Sequence, residues 1–283
     1  MISVVGDAEA FYGSLRNEEF LAARKLRWVQ SPGAGVEWLW QIPTITESDV
    51  VVTNMRGAHA ATIAEHAFGM LLCLTRALRD LDEHQKREEW ARGLIADRLF
   101  GIKGLTMGIV GFGNIGRAIA GRASGFEMNV IAVDAQSVAP ENGVKEVWPL
   151  ALLNDLCRQT DVLVISAPIT PQTRGLIGSE QIGLLKEGAY LLAVSRGGIV
   201  DEPALIEALQ SAKLAGAGLD VTATEPLPAG DPLWRAPNLV ITPHTSAASR
   251  LTSELVWSIL TENIGHFLNG EPLINVVDKR LGY

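Results

Sequence analysis

Residues 106–116 read Thr-Met-Gly-Ile-Val-Gly-Phe-Gly-Asn-Ile-Gly: a short apolar run breaks into Gly111-Phe112-Gly113-Asn114-Ile115-Gly116, and helical spacing follows from Ile115 to Ala123. A GxGxxG pattern alone is a weak signal. Placed between a strand and a helix it has a mechanism: the first glycine permits a tight turn, the second lets backbone approach a pyrophosphate, and the third lets helix pack on strand. The helix N-terminus then faces the anion. Asp134 closes the next apolar segment, Asn129 to Val133, where a carboxylate can accept hydrogen bonds from an adenosine ribose diol. No arginine or lysine follows among Ala135, Gln136 and Ser137, so the expected cofactor is NAD rather than its 2'-phosphate.

Outward from this motif, the middle of the chain delivers six strand-like segments: Thr106 to Val110, Asn129 to Val133, Val162 to Ser166, Tyr190 to Val194, Ala217 to Leu219 and Leu239 to Thr242. Helical or turn segments separate them, the rhythm of a doubly wound parallel sheet whose ligands sit beyond the carboxyl ends of the strands. Past those ends lie Gly111, Asp134, Pro168, Arg196, Asp220 and His244.

Towards the N-terminus, apolar runs at Ile2 to Val5, Leu26 to Gln30 and Val50 to Thr53, with a helix around Glu18 to Arg24, suggest a smaller α/β unit. From Thr62 to about Trp90 one long helix, or two in tandem, leaves that unit. A last helix over Ser249 to Leu268 leads to Asn275 to Val277, which is expected to rejoin it. The reading is α/β with two domains: a Rossmann-type NAD domain over 79–249, and a smaller flavodoxin-like substrate domain over 1–78 and 250–283, expected to be shortened at its N-terminus.

With 283 residues, 47% hydrophobic and 20% charged, the chain has the composition of a globular protein able to build two cores. A net charge of -8 disfavours nucleic acid, whose phosphates attract basic surfaces. Cys73 and Cys157 lack metal-ligand or disulfide-framework spacing, so no metal site is expected and the compartment is expected to be reducing. No uninterrupted apolar stretch of about 18 residues is present, and a cytoplasmic protein away from membranes is expected.

The polar residues at the strand ends suggest a chemistry. Adding hydride to a ketone leaves negative charge on oxygen, so the site needs a proton donor and a cation for the substrate carboxylate. His244 suits the first task, with Glu225, on the loop after the preceding strand, able to hold its other ring nitrogen. Arg196 suits the second: its planar guanidinium can grip a carboxylate through two parallel hydrogen bonds, and the flanking Gly197 and Gly198 are read as leaving room for the head group. Singly, each side chain has an ordinary structural alternative; their convergence on the cofactor edge favours the chemical one. His66 and His266 lie in apolar helical patterns and His84 on a charged face, so structural roles are expected for them, while His59 in a loop is the rival for substrate contact.

Over nearly its whole length the sequence resembles the D-isomer-specific 2-hydroxyacid dehydrogenases. The resemblance rests on SPGAGVE, ATIAEHAFGMLL, GIVGFGNIGRAIA, SAPITPQTRGLI, LLAVSRGGIVDEPAL, GAGLDVTATEPLP and NLVITPHTSAAS, in that order and spacing. It implies a catalytic set of Arg196, Glu225 and His244, with Asp220 on the nicotinamide carboxamide. It further implies Asn114 and Ile115 at the pyrophosphate, Ala167, Pro168 and Thr173 along the adenosine, and Val194, Ser195, Arg196, His244 and Ser246 around the nicotinamide. Gly33, Ala34 and Gly35 resemble a turn whose amides bind the substrate carboxylate. Arg56, in a segment that departs from the family's commoner proline-containing version, is expected to bear on substrate choice. The resemblance implies a small 2-keto or 2-hydroxy acid as substrate, and a homodimer. Three rivals are an NAD-sensing corepressor-like scaffold, a phosphoglycerate dehydrogenase, and a formate dehydrogenase, which resembles this pattern with glutamine in place of Glu225.

Overall fold

The structure, a computed structural model, describes residues 6–282. The chain forms two compact units, one running to His59 and resuming at Ala248, the other spanning Ala60–Ala247. In chain order the elements used below are β1 (Ala10–Tyr12), α1 (Asn17–Ala22), β2 (Trp28–Gln30), β3 (Val51–Thr53), α2 (Ala60–Thr75), α3 (Leu78–Lys86), β4 (Thr106–Val110), α4 (Asn114–Gly125), β5 (Asn129–Asp134), β6 (Val147–Pro149), α5 (Leu153–Gln159), β7 (Val162–Ile165), α6 (Ser179–Leu184), β8 (Ala189–Ala193), α7 (Glu202–Gln210), β9 (Leu214–Leu219), β10 (Leu239–Ile241) and α8 (Arg250–Asn269).

The larger unit is a seven-stranded, wholly parallel sheet in the order β10-β9-β8-β7-β4-β5-β6. Its central strands are buried on both faces, which is why they read as unbroken apolar runs. Met107, Ile109, Val162, Val164 and Leu192 point to one side, where α2 supplies Ala64, Ala67 and Leu71 and α4 supplies Ile119 and Ala123. Val110, Leu163, Ile165, Leu191 and Ala193 point to the other, against Leu156 of α5, Ile182 of α6 and Leu205 and Leu209 of α7. Strand order reverses between β4 and β7, so the glycine-rich turn after β4 lies at the switch point, where open α/β sheets bind their ligands.

Two boundaries differ from the sequence reading. Residues 60–78, read with the substrate domain, group with the larger unit because α2 buries its apolar face on β8, β9 and α4. The return crossing likewise falls at Ala248 rather than after residue 249. Of the two helical readings for 62–90, the tandem holds: Ala77, left-handed at φ +49°, separates α2 from α3. The sequence reading also missed β6, a three-residue edge strand ending in proline.

Among the described residues of the smaller unit, three parallel strands run in the order β1-β2-β3. β1 went unread because its pattern is exposed at both ends. The expected strand over Ile2 to Val5 lies outside the described residues. The segment expected to return does so: Val276 bridges Thr53. A buried polar chain ties α8 to this sheet, with Trp28 Nε1 donating to Thr53 Oγ1, Thr53 Oγ1 to Gln30 Oε1, and Asn263 Nδ2 also to Gln30 Oε1.

The third glycine of the turn is under the tightest local constraint. A Cβ on Gly116 would stand 2.2 Å from the carbonyl oxygen of Gly111, a backbone atom that no side-chain rotation can move aside. Gly116→Ala is therefore expected to lower unfolding stability by about 1–3 kcal/mol through a forced shift of α4. Urea denaturation checks this, and a variant as stable as the parent would contradict the packing.

Candidate active site

The turn after β4 separates glycines that the protein itself needs from one it does not. Gly111 has φ +92°, and a Cβ there would meet the backbone of Ala167 at 2.6 Å. With Gly116 it is explained by packing alone. Gly113 caps α4, and a Cβ there would meet nothing within 4 Å. Its bareness leaves space outside the protein at a helix N-terminus, where amide groups and the helix dipole favour an anion. Asn114 and Ile115, the next two residues, open that helix.

Asp134 ends β5 with its carboxylate turned to the same turn, Oδ2 accepting from Phe112 N–H at 2.6 Å and Oδ1 from Gln136 N–H at 2.8 Å. Each oxygen keeps a second acceptor direction. Ala167 is buried and Pro168 exposed. Thr173 is a clasp, its hydroxyl donating to Pro168 O at 2.7 Å and accepting from Thr170 N–H at 2.7 Å. Val194 and Ser195 are buried, and Ser195 Oγ has no hydrogen-bond partner among the described residues. An orphaned hydroxyl and an uncovered glycine along one edge of the sheet fit a bound dinucleotide, which would supply the missing acceptor or donor.

Three neighbouring strands deliver the polar side chains singled out in the sequence. Arg196 follows β8, Asp220 follows β9 and His244 follows β10, all at carboxyl ends. His244 Nδ1 lies 2.7 Å from Glu225 Oε2, and both side chains are partly exposed. Since the carboxylate only accepts, Nδ1 carries the proton and Nε2 faces outward from the pair. Glu225 is itself anchored, Oε1 accepting from Thr222 N–H at 3.1 Å. Arg196 donates from Nη1 to Ser195 O at 2.7 Å. The glycine beside it has a different reason from the one read in the sequence: a Cβ on Gly197 would stand 1.8 Å from Thr222 O, so that glycine admits the 222–223 backbone rather than making room for the head group.

Asp220, read as a nicotinamide contact, organises the loop after β10. Its side chain is fully buried. Oδ1 accepts from Thr242 Oγ1 at 2.6 Å and Thr245 N–H at 2.9 Å, and Oδ2 from Ser246 N–H at 3.0 Å. The Asp220 carbonyl oxygen takes His244 N–H at 2.8 Å, which helps hold that residue at φ +53°, a left-handed conformation costly for a side chain. Burial pushes the Asp220 carboxyl up, but the hydrogen bonds from Ser246, Thr242 and the amide of Thr245 outweigh it and hold the group below the ordinary carboxylate range. Thr242 and His66, whose Nε2 lies 2.9 Å from Thr242 Oγ1, had no signal in the sequence beyond their spacing.

In the smaller unit, the turn at 33–35 has all three carbonyls engaged. Met55 N–H donates to Gly33 O at 3.0 Å, Asn54 Nδ2 to Ala34 O at 2.8 Å and Ser31 Oγ to Gly35 O at 3.3 Å. The N–H groups of Gly33, Ala34 and Gly35 have no acceptor among the described residues, so they are open to an anion. Asn54, which the sequence reading passed over, also accepts from Arg56 N–H at 3.1 Å, and Asn275 Nδ2 donates to Arg56 O at 2.9 Å. The Arg56 backbone is thus fixed while its side chain is exposed. His59, half-buried, sits in the turn before α2. Among the described residues no cluster of three or more His, Cys, Asp or Glu could hold a metal, and no helix is long and apolar enough to cross a membrane.

Residues 68–246 match the family model of the D-isomer specific 2-hydroxyacid dehydrogenase NAD binding domain. A glyoxylate reductase from Korarchaeum cryptofilum is 34% identical, covering 99% of this chain and 86% of that protein. A D-3-phosphoglycerate dehydrogenase from Methanocaldococcus jannaschii is 36% identical over 90% of this chain, which spans only 48% of that relative. Among solved structures, a D-isomer specific 2-hydroxyacid dehydrogenase family protein from Aeromonas salmonicida superposes with a TM-score of 0.83 at 34% identity, covering 98% of this chain and 87% of that one.

The depressed Asp220 carboxyl carries a stability consequence with a definite sign. A group whose folded value lies below its unfolded one stabilises the fold above the unfolded value and loses that contribution as pH falls through the folded one. Asp220→Asn, which keeps the shape but mismatches a donor, is expected to cost about 1–3 kcal/mol at pH 7. The gap from the parent should close as acid protonates Asp220 in the parent. Urea unfolding from pH 7 downwards tests this, and a gap that widened in acid would contradict it.

Proposed function

The chain belongs to the D-isomer-specific 2-hydroxyacid dehydrogenases, and from that membership we propose that it moves a hydride between a nicotinamide cofactor and C2 of a small 2-keto or 2-hydroxy acid, of the size of glyoxylate or hydroxypyruvate. The observation that carries the reading is the 2.7 Å contact between His244 Nδ1 and Glu225 Oε2 at the carboxyl edge of a sheet built for a dinucleotide.

NADH, when bound, supplies the hydride. His244 gives the proton at Nε2 to the developing alkoxide and recovers it in the reverse direction, while Glu225 keeps Nδ1–H engaged so that a single ring nitrogen serves the substrate. Arg196, held by its Nη1 contact to Ser195 O, takes the substrate carboxylate. In the smaller unit, the uncommitted amides of 33–35 and the exposed Arg56 are the groups able to bind the acid's anionic end. Asp134 at the ribose favours NAD over NADP.

Glu225 weighs against the formate reading, which resembles this pattern with glutamine there. Phosphoglycerate oxidation has the support of similar relatives, though the chain spans about half their length. The cytoplasm is the expected compartment. A homodimer is proposed from the family resemblance, and the exposed apolar side chains of Trp90 (95%), Leu94 (71%) and Phe100 (50%) are available to such an interface. Light scattering should return twice the chain mass, and a monomer at micromolar concentration would refute it.

His244→Ala is expected to reduce turnover of glyoxylate or hydroxypyruvate by about a hundredfold or more while NADH binding changes little. Near-normal turnover would remove the acid assignment, and no oxidation of NADH by the parent protein across a keto-acid panel would favour an NAD-sensing scaffold instead. Glu225→Gln keeps the hydrogen-bond shape and deletes the charge, so turnover should fall about tenfold or more while NADH binding changes little. Unchanged turnover counts against the pairing.

A further inference from the structure

α2 and β9 meet in a register that ends on the reaction edge. His66, Met70 and Leu74 are four apart and so share a helix face, advancing about 6 Å per step. Gly216, Gly218 and Asp220 alternate on one face of β9 and its end, advancing about 6.6 Å per step. A Cβ on Gly216 would stand 3.1 Å from Leu74 Cδ2, and one on Gly218 3.0 Å from Met70 Sδ and 3.1 Å from Met70 Cβ. The two glycines therefore let the helix lie close on the strand, and the third pair in the series is His66 with Asp220, Nε2 to Oδ1 at 3.7 Å.

Between that pair stands Thr242. Its hydroxyl has one proton, and at 2.6 Å from the ionised Asp220 Oδ1 that proton is committed to the carboxylate. The 2.9 Å contact between His66 Nε2 and Thr242 Oγ1 then has one possible sense: Nε2–H donates and the hydroxyl accepts. The histidine read from the sequence as structural is thus the head of a directed chain, His66 Nε2–H to Thr242 Oγ1–H to Asp220. Asp220 in turn holds the amides of Thr245 and Ser246 and, through its peptide oxygen, that of His244.

We propose that His66 is a positioning residue for the reaction: from α2 it fixes, through Thr242, the carboxylate from which the His244 loop hangs. It rests on the dehydrogenase reading for its kinetic consequence and on geometry alone for its tautomer. A small rotation of Asp220 would pass directly into the left-handed backbone of His244 and swing Nε2 away from the substrate oxygen, the kind of displacement that costs rate rather than binding.

The test has two arms. In the first, long-range ¹⁵N–¹H correlation spectra of histidine-labelled protein should show neutral His66 as the Nε2–H tautomer, with its nitrogen shifts moved by Thr242→Val. An Nδ1–H tautomer, or shifts indifferent to Thr242→Val, overturns the proposal whether or not the protein reduces keto acids. In the second arm, His66→Leu and Thr242→Val should each lower kcat about tenfold or more with KM for NADH little changed. The double variant should be no worse than the poorer single one. His66→Gln, whose amide nitrogen reaches the same distance from Cα, should recover most of kcat. Full kcat in His66→Leu, or a loss that glutamine fails to mend, overturns it; if the parent itself is inactive on every keto acid, the dehydrogenase reading fails and the tautomer decides alone.

Discussion

The geometry of the reaction edge depends on one buried carboxylate. Asp220 ends β9 with its side chain withdrawn from water, a placement that costs several kcal/mol for an ion unless donors surround it. The donors come from the 242–246 segment, two backbone amides and a hydroxyl, with a further amide on the Asp220 peptide oxygen. The exchange works in both directions: the loop satisfies the charge, and the charge defines the loop. Because β9 and β10 are parallel neighbours in register, the end of one strand is already beside the end of the other, and four hydrogen bonds suffice to fix His244 in a backbone conformation that it would otherwise resist.

Glycine placement shows the same logic of close approach. Gly111 and Gly116 let the turn, β7 and α4 converge at the switch point. Gly216 and Gly218 let α2 settle on β9. A methyl group would strike backbone at Gly111 and Gly116 and would press on neighbouring atoms at Gly216 and Gly218, so these residues are accounted for by the fold before any ligand is considered. Gly113 is not, and with the unpartnered hydroxyl of Ser195 it is where the larger unit presents features that packing does not demand. Fold and binding are thereby separable within a motif only six residues long.

What the sequence disclosed follows from how each feature is encoded. The central strands were legible because burial on both faces writes itself as contiguous apolar runs, and the glycine-rich turn because its spacing is local. β1 and β6 were not, being three-residue strands with exposed or proline-bearing patterns. The boundary near residue 60 escaped because α2 is apolar on the face that any neighbour could cover; only the contact with β8 and β9 decides which unit owns it. Arg196, Glu225 and His244 were nameable from residue type and from the strand ends they follow. The contact of His66 was not legible for the opposite reason: its partner Thr242 is 176 residues away, and no periodicity connects a helix face to a strand end across that separation.

The same limit applies to Gly197, and correcting its role links the two sides of the proposed chemistry. The arginine turn after β8 and the glutamate loop after β9 touch through backbone, with Thr222 O filling the space a Cβ would take at Gly197. Thr222 also gives its N–H to Glu225 Oε1. One peptide segment therefore abuts the turn that carries the Arg196 guanidinium and holds the carboxylate that pairs with the His244 imidazole. Adjacent strands in a parallel sheet lie about 4.8 Å apart, which sets the coarse spacing between Arg196, Asp220 and His244. The Gly197 contact brings the arginine turn against the glutamate loop, so a residue read as serving the arginine's freedom instead admits the backbone segment that holds Glu225.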